Sequence, residues 1–180
     1  IAPSKRVNIH TEKGMVKAVF GWPAIHTRHG EKEEAPQLKN IFLDCGCTTK
    51  EEVEIIGNRI LQNADTMWGG FGAAPKFPQT FCLQMLFRNF KMNGNESCMV
   101  HAIRSIDKMI QGGLYDHLGG GFARYSTDAQ WQAPHFEKML YDNALILGTL
   151  AEAYQLTKKP IYKEVIHATF IFLQRELFNG

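Results

Sequence analysis

The sequence predicts an all-α fold of helical hairpins arranged as a solenoid or a closed α/α toroid. Two observations lead there. Five stretches after residue 49 carry apolar residues at helical spacing. A Gly-Gly-aromatic loop recurs between them, at Gly69-Gly70-Phe71 and again at Gly112-Gly113, reinforced by Gly120-Gly121-Phe122. Helix, glycine-rich loop, helix at a regular period is how repeat architectures read in sequence.

The first 49 of the 180 residues show little periodicity and include Pro3, Pro23 and Pro36. They are expected to be an irregular N-terminal segment, with Val16–Phe20 and Asn40–Leu43 as short strand candidates. The helical domain is expected over residues 50–180. Thr49 or Thr48 caps its first helix, with Glu51 and Glu52 in the first turn and Val53, Ile56, Ile60, Leu61 and Ala64 as the stripe. That helix ends near Asp65, before the loop WGGFGAAPKFP. The second runs from Pro78 or Gln79 to Asn93-Gly94, a C-terminal signal. The third spans Glu96 to Ile110. The fourth is expected to begin at Pro134, a favoured first helical position, and to end at Lys158-Lys159 before Pro160. The fifth covers Ile161 to Leu177. Asn179-Gly180 resembles the start of a third loop. Repeated units cover one another's apolar faces, so the rest of a larger protein or an oligomeric partner is expected to cover those left open here.

Composition excludes several classes. Hydrophobic content is 44% and charged residues are 21%, as in a globular domain. Twenty basic and eighteen acidic residues give a net charge of +2 without a dense basic tract, so no nucleic-acid partner is expected. No apolar run reaches membrane-spanning length, and no membrane partner is expected. The N-terminus lacks a signal-type apolar core. The chain begins with Ile, as a processed chain or a fragment would. Of the four cysteines, Cys45 and Cys47 form a C-x-C pair, which is neither a dithiol redox motif nor a zinc motif. Cys82 and Cys98 read as small buried hydrophobes. These features together suggest a cytoplasmic chain with free thiols. His10, His26, His29, Cys45 and Cys47 fit no standard ligand spacing, so no metal is expected. Gly119-Gly120-Gly121 lacks the rest of a phosphate loop, so neither nucleotide nor other cofactor is expected.

The residues that point to chemistry lie mostly between Gly112 and Asn143. The fourth helix, if it starts at Pro134, places His135, Lys138 and Asp142 on one face beside an apolar stripe. At a helix N-terminus His135 would be favoured in its neutral form, a candidate general base or acid. Glu137 adds a second carboxylate. Asp116, His117, Arg124, Tyr125, Asp128 and Trp131 are the residue types that bind hydroxylated ligands, through directed hydrogen bonds and ring stacking. Asp116, Asp128, Glu137 and Asp142 are candidates for a paired-carboxylate glycosidase site. Asp116 and Asp128 equally suit turns and caps. His135 and Asp142 equally suit loop-pinning hydrogen bonds.

WGGFGAAPKFP followed by GGLYDHLGGGFARYSTDAQWQAPHFEKMLYDNA resembles the thioredoxin-domain-containing family that includes spermatogenesis-associated protein 20, over roughly residues 55–180. The resemblance implies part of an (α/α)6 barrel of the six-hairpin glycosidase-like class. It places Phe71, Lys76, Phe77, Arg124, Tyr125, Trp131, His135, Glu137, Lys138 and Asp142 near the end where long loops gather. From this we expect His135, Glu137 and Asp142 as catalytic residues. Phe71, Lys76, Asp116, His117, Arg124, Tyr125, Asp128, Trp131 and Lys138 are expected to contact a sugar or other small molecule. The implied activity is carbohydrate binding or processing, as a sugar epimerase- or glycosidase-like enzyme when full length. The alternatives are a non-catalytic interaction module and a thiol-redox protein. The family's upstream C-x-x-C domain has no counterpart in this sequence, which argues against redox chemistry here.

Overall fold

In a computed structural model the chain is described at residues 5–11, 14–20, 47 and 49–177. It divides into two compact units, Ile1–Glu52 and Val53–Gly180.

In the first unit, β1 (Lys5–Thr11) pairs antiparallel with β2 (Gly14–Phe20), in register from Lys5↔Phe20 to Thr11↔Gly14. At residues 5–11 and 14–20 the chain is thus regular, within a segment expected to be irregular. The apolar-polar alternation of Arg6-Val7-Asn8-Ile9-His10 is a strand signal that the prolines further on obscure. The expected strand at Val16–Phe20 falls inside β2, and Asn40–Leu43 lies outside the described residues.

Helix α1 (Lys50–Gln62) opens with a capping box. The Glu52 N–H donates to Thr49 Oγ1 and the Thr49 N–H donates to Glu52 Oε2, both at 3.2 Å. Helix α2 (Thr80–Asn93) ends at Gly94, whose N–H reaches the Phe90 carbonyl at 2.8 Å. Helix α3 (Glu96–Gln111) starts under Asn95, whose side chain accepts from the Cys98 N–H. Helix α5 (Pro160–Glu176) has its proline in the first turn, where no N–H is required. Asp107 of α3 fixes that end, accepting from Lys159 Nζ and the Tyr162 hydroxyl at 2.6 Å each.

Helix α4 (Leu140–Thr157) begins six residues later than Pro134. Residues 133–137 are instead extended and pair with 124–127. Thr127 N–H donates to Ala133 O at 2.8 Å, His135 N–H to Tyr125 O at 2.9 Å and Arg124 N–H to Glu137 O at 2.8 Å. Proline's fixed φ suits an extended chain as well as a helix start, and the cross-strand bonds decide between them. His135 is therefore not at a helix N-terminus. The shared helical face of His135, Lys138 and Asp142 does not exist.

Helix α2 packs against α3 and α4, and α4 against α5. Leu83, Leu86, Phe87, Ile106, Phe122, Leu150 and Tyr162 fill the space between them. Burying each contributes about 1.5–3 kcal/mol. Asn89 of α2 inserts beside Gly57 of α1 and donates to the Val53 carbonyl at 2.8 Å, so the helices close over a polar bond. Among the described residues no helix is long and apolar enough to cross a membrane.

Candidate functional site

The loops that follow α1 and α3 are two copies of one structure. In the first, Asp65 Oδ1 accepts from the N–H groups of Met67 and Trp68, and its backbone pairs with Gly69 and Gly70. Lys76 Nζ then ties Asp65 Oδ2 at 2.6 Å to the Gly69 carbonyl at 2.9 Å. In the second, Asp116 Oδ1 accepts from Leu118 and Gly119, and its backbone pairs with Gly120 and Gly121. Lys138 Nζ ties Asp116 Oδ2 at 2.6 Å to the Gly120 carbonyl at 2.8 Å. Each copy ends in a bridge to the phenylalanine after the glycines, Ala64↔Phe71 and Tyr115↔Phe122. Each also lies on the next odd-numbered helix, the first on Ser105 of α3 and the second on Ala168 and Phe172 of α5.

These clamps set an acid limit on stability. The Asp116 carboxyl is held well below the usual carboxylate range by the Gly119 N–H, the Lys138 ammonium and the Leu118 N–H. Burial alone would raise Asp65, but Lys76 and the N–H groups of Trp68 and Met67 outweigh it. A depressed folded-state pKa gives stability that is present above the unfolded value, about 3.9, and lost as pH falls through the folded value. Denaturation curves should therefore shift to lower denaturant below pH ~4. Asp116→Asn should flatten that part of the profile.

The copies diverge after the phenylalanine. Five positions separate Phe71 from Lys76, and sixteen separate Phe122 from Lys138. The additional chain forms the extended pair 124–127 and 133–137. Asp128 closes its tip, accepting from the N–H groups of Gln130, Gln132 and Ala133. The first loop anchors this excursion. Ser126 and Lys76 exchange backbone bonds at 2.8 and 2.9 Å, Lys76 Nζ reaches Ala129 O at 2.9 Å, and Trp131 Nε1 donates to Trp68 O at 2.9 Å.

Five of the predicted residues meet at the base of the excursion. Arg124 lies between two carboxylates, 3.9 Å from Glu137 Oε2 and 3.8 Å from Asp142 Oδ2. His135 Nδ1 is 3.7 Å from the same Glu137 oxygen. The imidazole stacks on Tyr125 at 4.7 Å and 16°, and Phe77 covers Tyr125 at 4.8 Å. His135 Nδ1 and Asp142 Oδ2 are buried atoms without a hydrogen-bond partner among the described residues. Burial raises the Asp142 carboxyl above the usual range, with Arg124 partly opposing. Folding thus favours the protonated form of Asp142. That contribution is present at low pH and is lost as pH rises through the raised value.

The other predicted residues are committed elsewhere. Lys76, Asp116, Lys138 and Asp128 hold the clamps and the tip. Phe71 is buried against His101 at 5.1 Å. Trp131 is fully buried at φ 67°, its ring against Gly70 and its backbone against Gly112, so no ligand stacks on it. His117 bonds the Gly112 carbonyl at 3.1 Å. Sequence reasoning missed Asp65, His101, Ser105 and Asn143. The first was legible as the D-x-x-x-G-G-F spacing shared with Asp116. His101 and Ser105 hold the carbonyl and N–H of Gly70. Asn143 holds both backbone groups of Phe122 at 2.7 and 3.0 Å.

A groove of about 410 Å³ opens between α1 and the start of α2, lined by Ile56, Arg59, Ile60, Phe71, Gln79 and Cys82 among others. None of the Arg124, Tyr125, His135, Glu137 and Asp142 group lines it. Among the described residues no cluster of His, Cys, Asp or Glu is arranged to hold a metal. The Cys98 thiol is pushed up to about 11 by burial, with Glu54 adding to the shift, and burial also raises Cys82. Both are poor nucleophiles.

The helical unit matches solved α/α-barrel proteins. A sugar epimerase from a ruminal bacterium aligns with a TM-score of 0.63 at 14% identity, over 73% of this chain and 38% of that one. The cellobiose 2-epimerase of Spirochaeta thermophila aligns at 0.57 and 19%, over 71% and 37%. A GH76 α-mannanase of Bacteroides thetaiotaomicron aligns at 0.57 and 16%, over 68% and 37%. The helical unit thus has the fold of part of an α/α toroid.

In sequence the helical portion is similar to spermatogenesis-associated protein 20. The human protein is 37% identical over 131 residues, 68% of this chain, and the mouse protein 38% identical over 118 residues, 63% of this chain. The chain spans about 16% of the human and 15% of the mouse relative. Residues 1–66, which include β1, β2 and α1, match the family model described as M42 glutamyl aminopeptidase.

Proposed function

We propose that the helical unit supplies one wall of a carbohydrate-binding or carbohydrate-processing site at the base of the 124–137 excursion. The observation that carries this reading is the meeting of His135, Glu137 and Asp142 around Arg124, beside the Tyr125 ring. Glu137 and Asp142 accept hydrogen bonds from ligand hydroxyls. His135, close to Glu137, takes or returns a proton. Arg124 keeps both carboxylates in place. These are the parts needed for proton transfer at a sugar carbon or for protonating a glycosidic oxygen. The solved neighbours, two epimerases and a mannanase, support a sugar as the ligand. In the full-length protein this becomes an epimerase- or glycosidase-like enzyme. With Asp116 and Asp128 committed to turns, Glu137 and Asp142 are the carboxylate pair.

The test is isothermal titration of the full-length protein with mono- and oligosaccharides. His135→Ala and Glu137→Ala should each weaken binding by roughly tenfold or more, through loss of hydrogen bonds to the ligand. Their unfolding free energy should move by less than about 1 kcal/mol, since both side chains are about half exposed. A second reading, a non-catalytic interaction module, is favoured by the full exposure of Leu118 and the 91% exposure of Phe136 on these loops. It would replace the first if both variants bound sugar as the wild type does, or if no sugar bound at all, while Phe136→Ser abolished a cellular association.

A further inference from the structure

We infer that this site accepts uncharged or amine-bearing sugars and rejects anionic ones, such as sugar phosphates and uronic acids. The inference rests on the carbohydrate reading above and narrows it to a substrate class.

The ground is how the cations of this region are used. A site for phosphate or carboxylate needs a cation or several N–H groups left over for the ligand. Here the cations are engaged with the protein itself. Arg124 is flanked by Glu137 and Asp142 at 3.9 and 3.8 Å. Lys138 donates to Asp116 at 2.6 Å and to the Gly120 carbonyl at 2.8 Å. Lys76 is fully buried and has three acceptors. Arg175, which reaches the second loop through the Gly119 carbonyl at 3.0 Å, also pairs with Glu176.

Four backbone donors of the loop are engaged as well: the N–H groups of Arg124 and His135 close the cross-strand pair, and those of Leu118 and Gly119 go to Asp116. What faces outward is the Glu137 carboxylate, 54% exposed, and behind it Asp142 Oδ2 is a buried acceptor with no hydrogen-bond partner among the described residues. An arriving anion would meet two carboxylates against one guanidinium already shared between them. A hydroxyl or an ammonium would donate to the same oxygens.

The test uses the full-length protein and two matched pairs of probes at low ionic strength: mannose against mannose 6-phosphate, and glucosamine against glucuronate. Ligand-observed NMR or calorimetry reads the affinities. The uncharged or amine-bearing member of each pair should bind at least roughly tenfold more tightly, the discrimination expected of like charges held a few ångströms apart. Glu137→Gln should narrow the gap by weakening the glucosamine arm. An anionic probe that binds as tightly as its partner overturns the inference and leaves the carbohydrate reading standing. No binding by any of the four overturns both.

Discussion

Lys76→Ala should be among the most destabilising single substitutions in the helical unit, costing about 3–5 kcal/mol. The ammonium is completely buried and bonds the Asp65 carboxylate and the carbonyls of Gly69 and Ala129. Its methylenes also lie beside Trp131, with Nζ 5.3 Å from the ring centre. Removing the side chain leaves a partly buried carboxylate and two carbonyls without their donor, besides a cavity next to the indole. The other copy of the clamp is an internal control. Lys138 makes the equivalent bonds with 21% of its side chain exposed and Asp116 38% exposed, so water can replace the lost amine. Lys138→Ala should cost clearly less. Urea unfolding followed by circular dichroism measures both, and equal losses would refute the claim that burial makes the first clamp the stronger.

Gly69→Ala and Gly120→Ala should each cost about 3 kcal/mol or more, from backbone strain and a steric clash acting together. Both residues sit at positive φ, 70° and 77°, where a Cβ alone costs about 1–2 kcal/mol. Both also face backbone that cannot rotate away. A Cβ on Gly69 would come within 2.6 Å of Ser105 Cα, and one on Gly120 within 2.5 Å of the Ala168 carbonyl oxygen. The next helix must then shift for the loop to stay where it is. Thermal unfolding should show the loss in both variants. A shift near zero in either would mean that the loop does not rest on that helix.

These expectations come from loop geometry that the sequence expresses unevenly. Helix ends with a local chemical cause were legible: Thr49 with Glu52, Gly94 after α2 and Pro160 at the start of α5. The start of α4 was not. Pro134 followed by an apolar-periodic run satisfies the rules for a helix, while the competing partner strand at 124–127 is visible only in three dimensions. The same limit applies to the site. His135, Glu137, Asp142, Arg124 and Tyr125 were legible as a group because ionisable and aromatic residues crowd one loop. Their separation from Lys76, Trp131, Asp116 and Asp128 was not legible. A lysine and a tryptophan in a glycine-rich loop read as ligand-binding groups, and only their burial shows that they hold one loop against the other. The twin aspartates Asp65 and Asp116 were legible in principle, as one spacing repeated 51 residues apart.

The two copies also suggest how the site arose. The Asp-lysine clamp and the paired glycines occur in both loops, so they answer to the hairpin repeat. The excursion between Phe122 and Lys138 occurs in the second loop only, and it carries four of the five converging residues. The shared structure supports the fold, and the inserted structure carries the chemistry we assign.

The most direct test of that assignment is a crystal structure of the full-length protein soaked with mannose or cellobiose. The account predicts a sugar whose hydroxyls lie within hydrogen-bond reach of Glu137 and Asp142, with one ring face toward the Tyr125–His135 stack. A sugar found instead in the groove between α1 and α2, with Glu137 and Asp142 untouched, would contradict it.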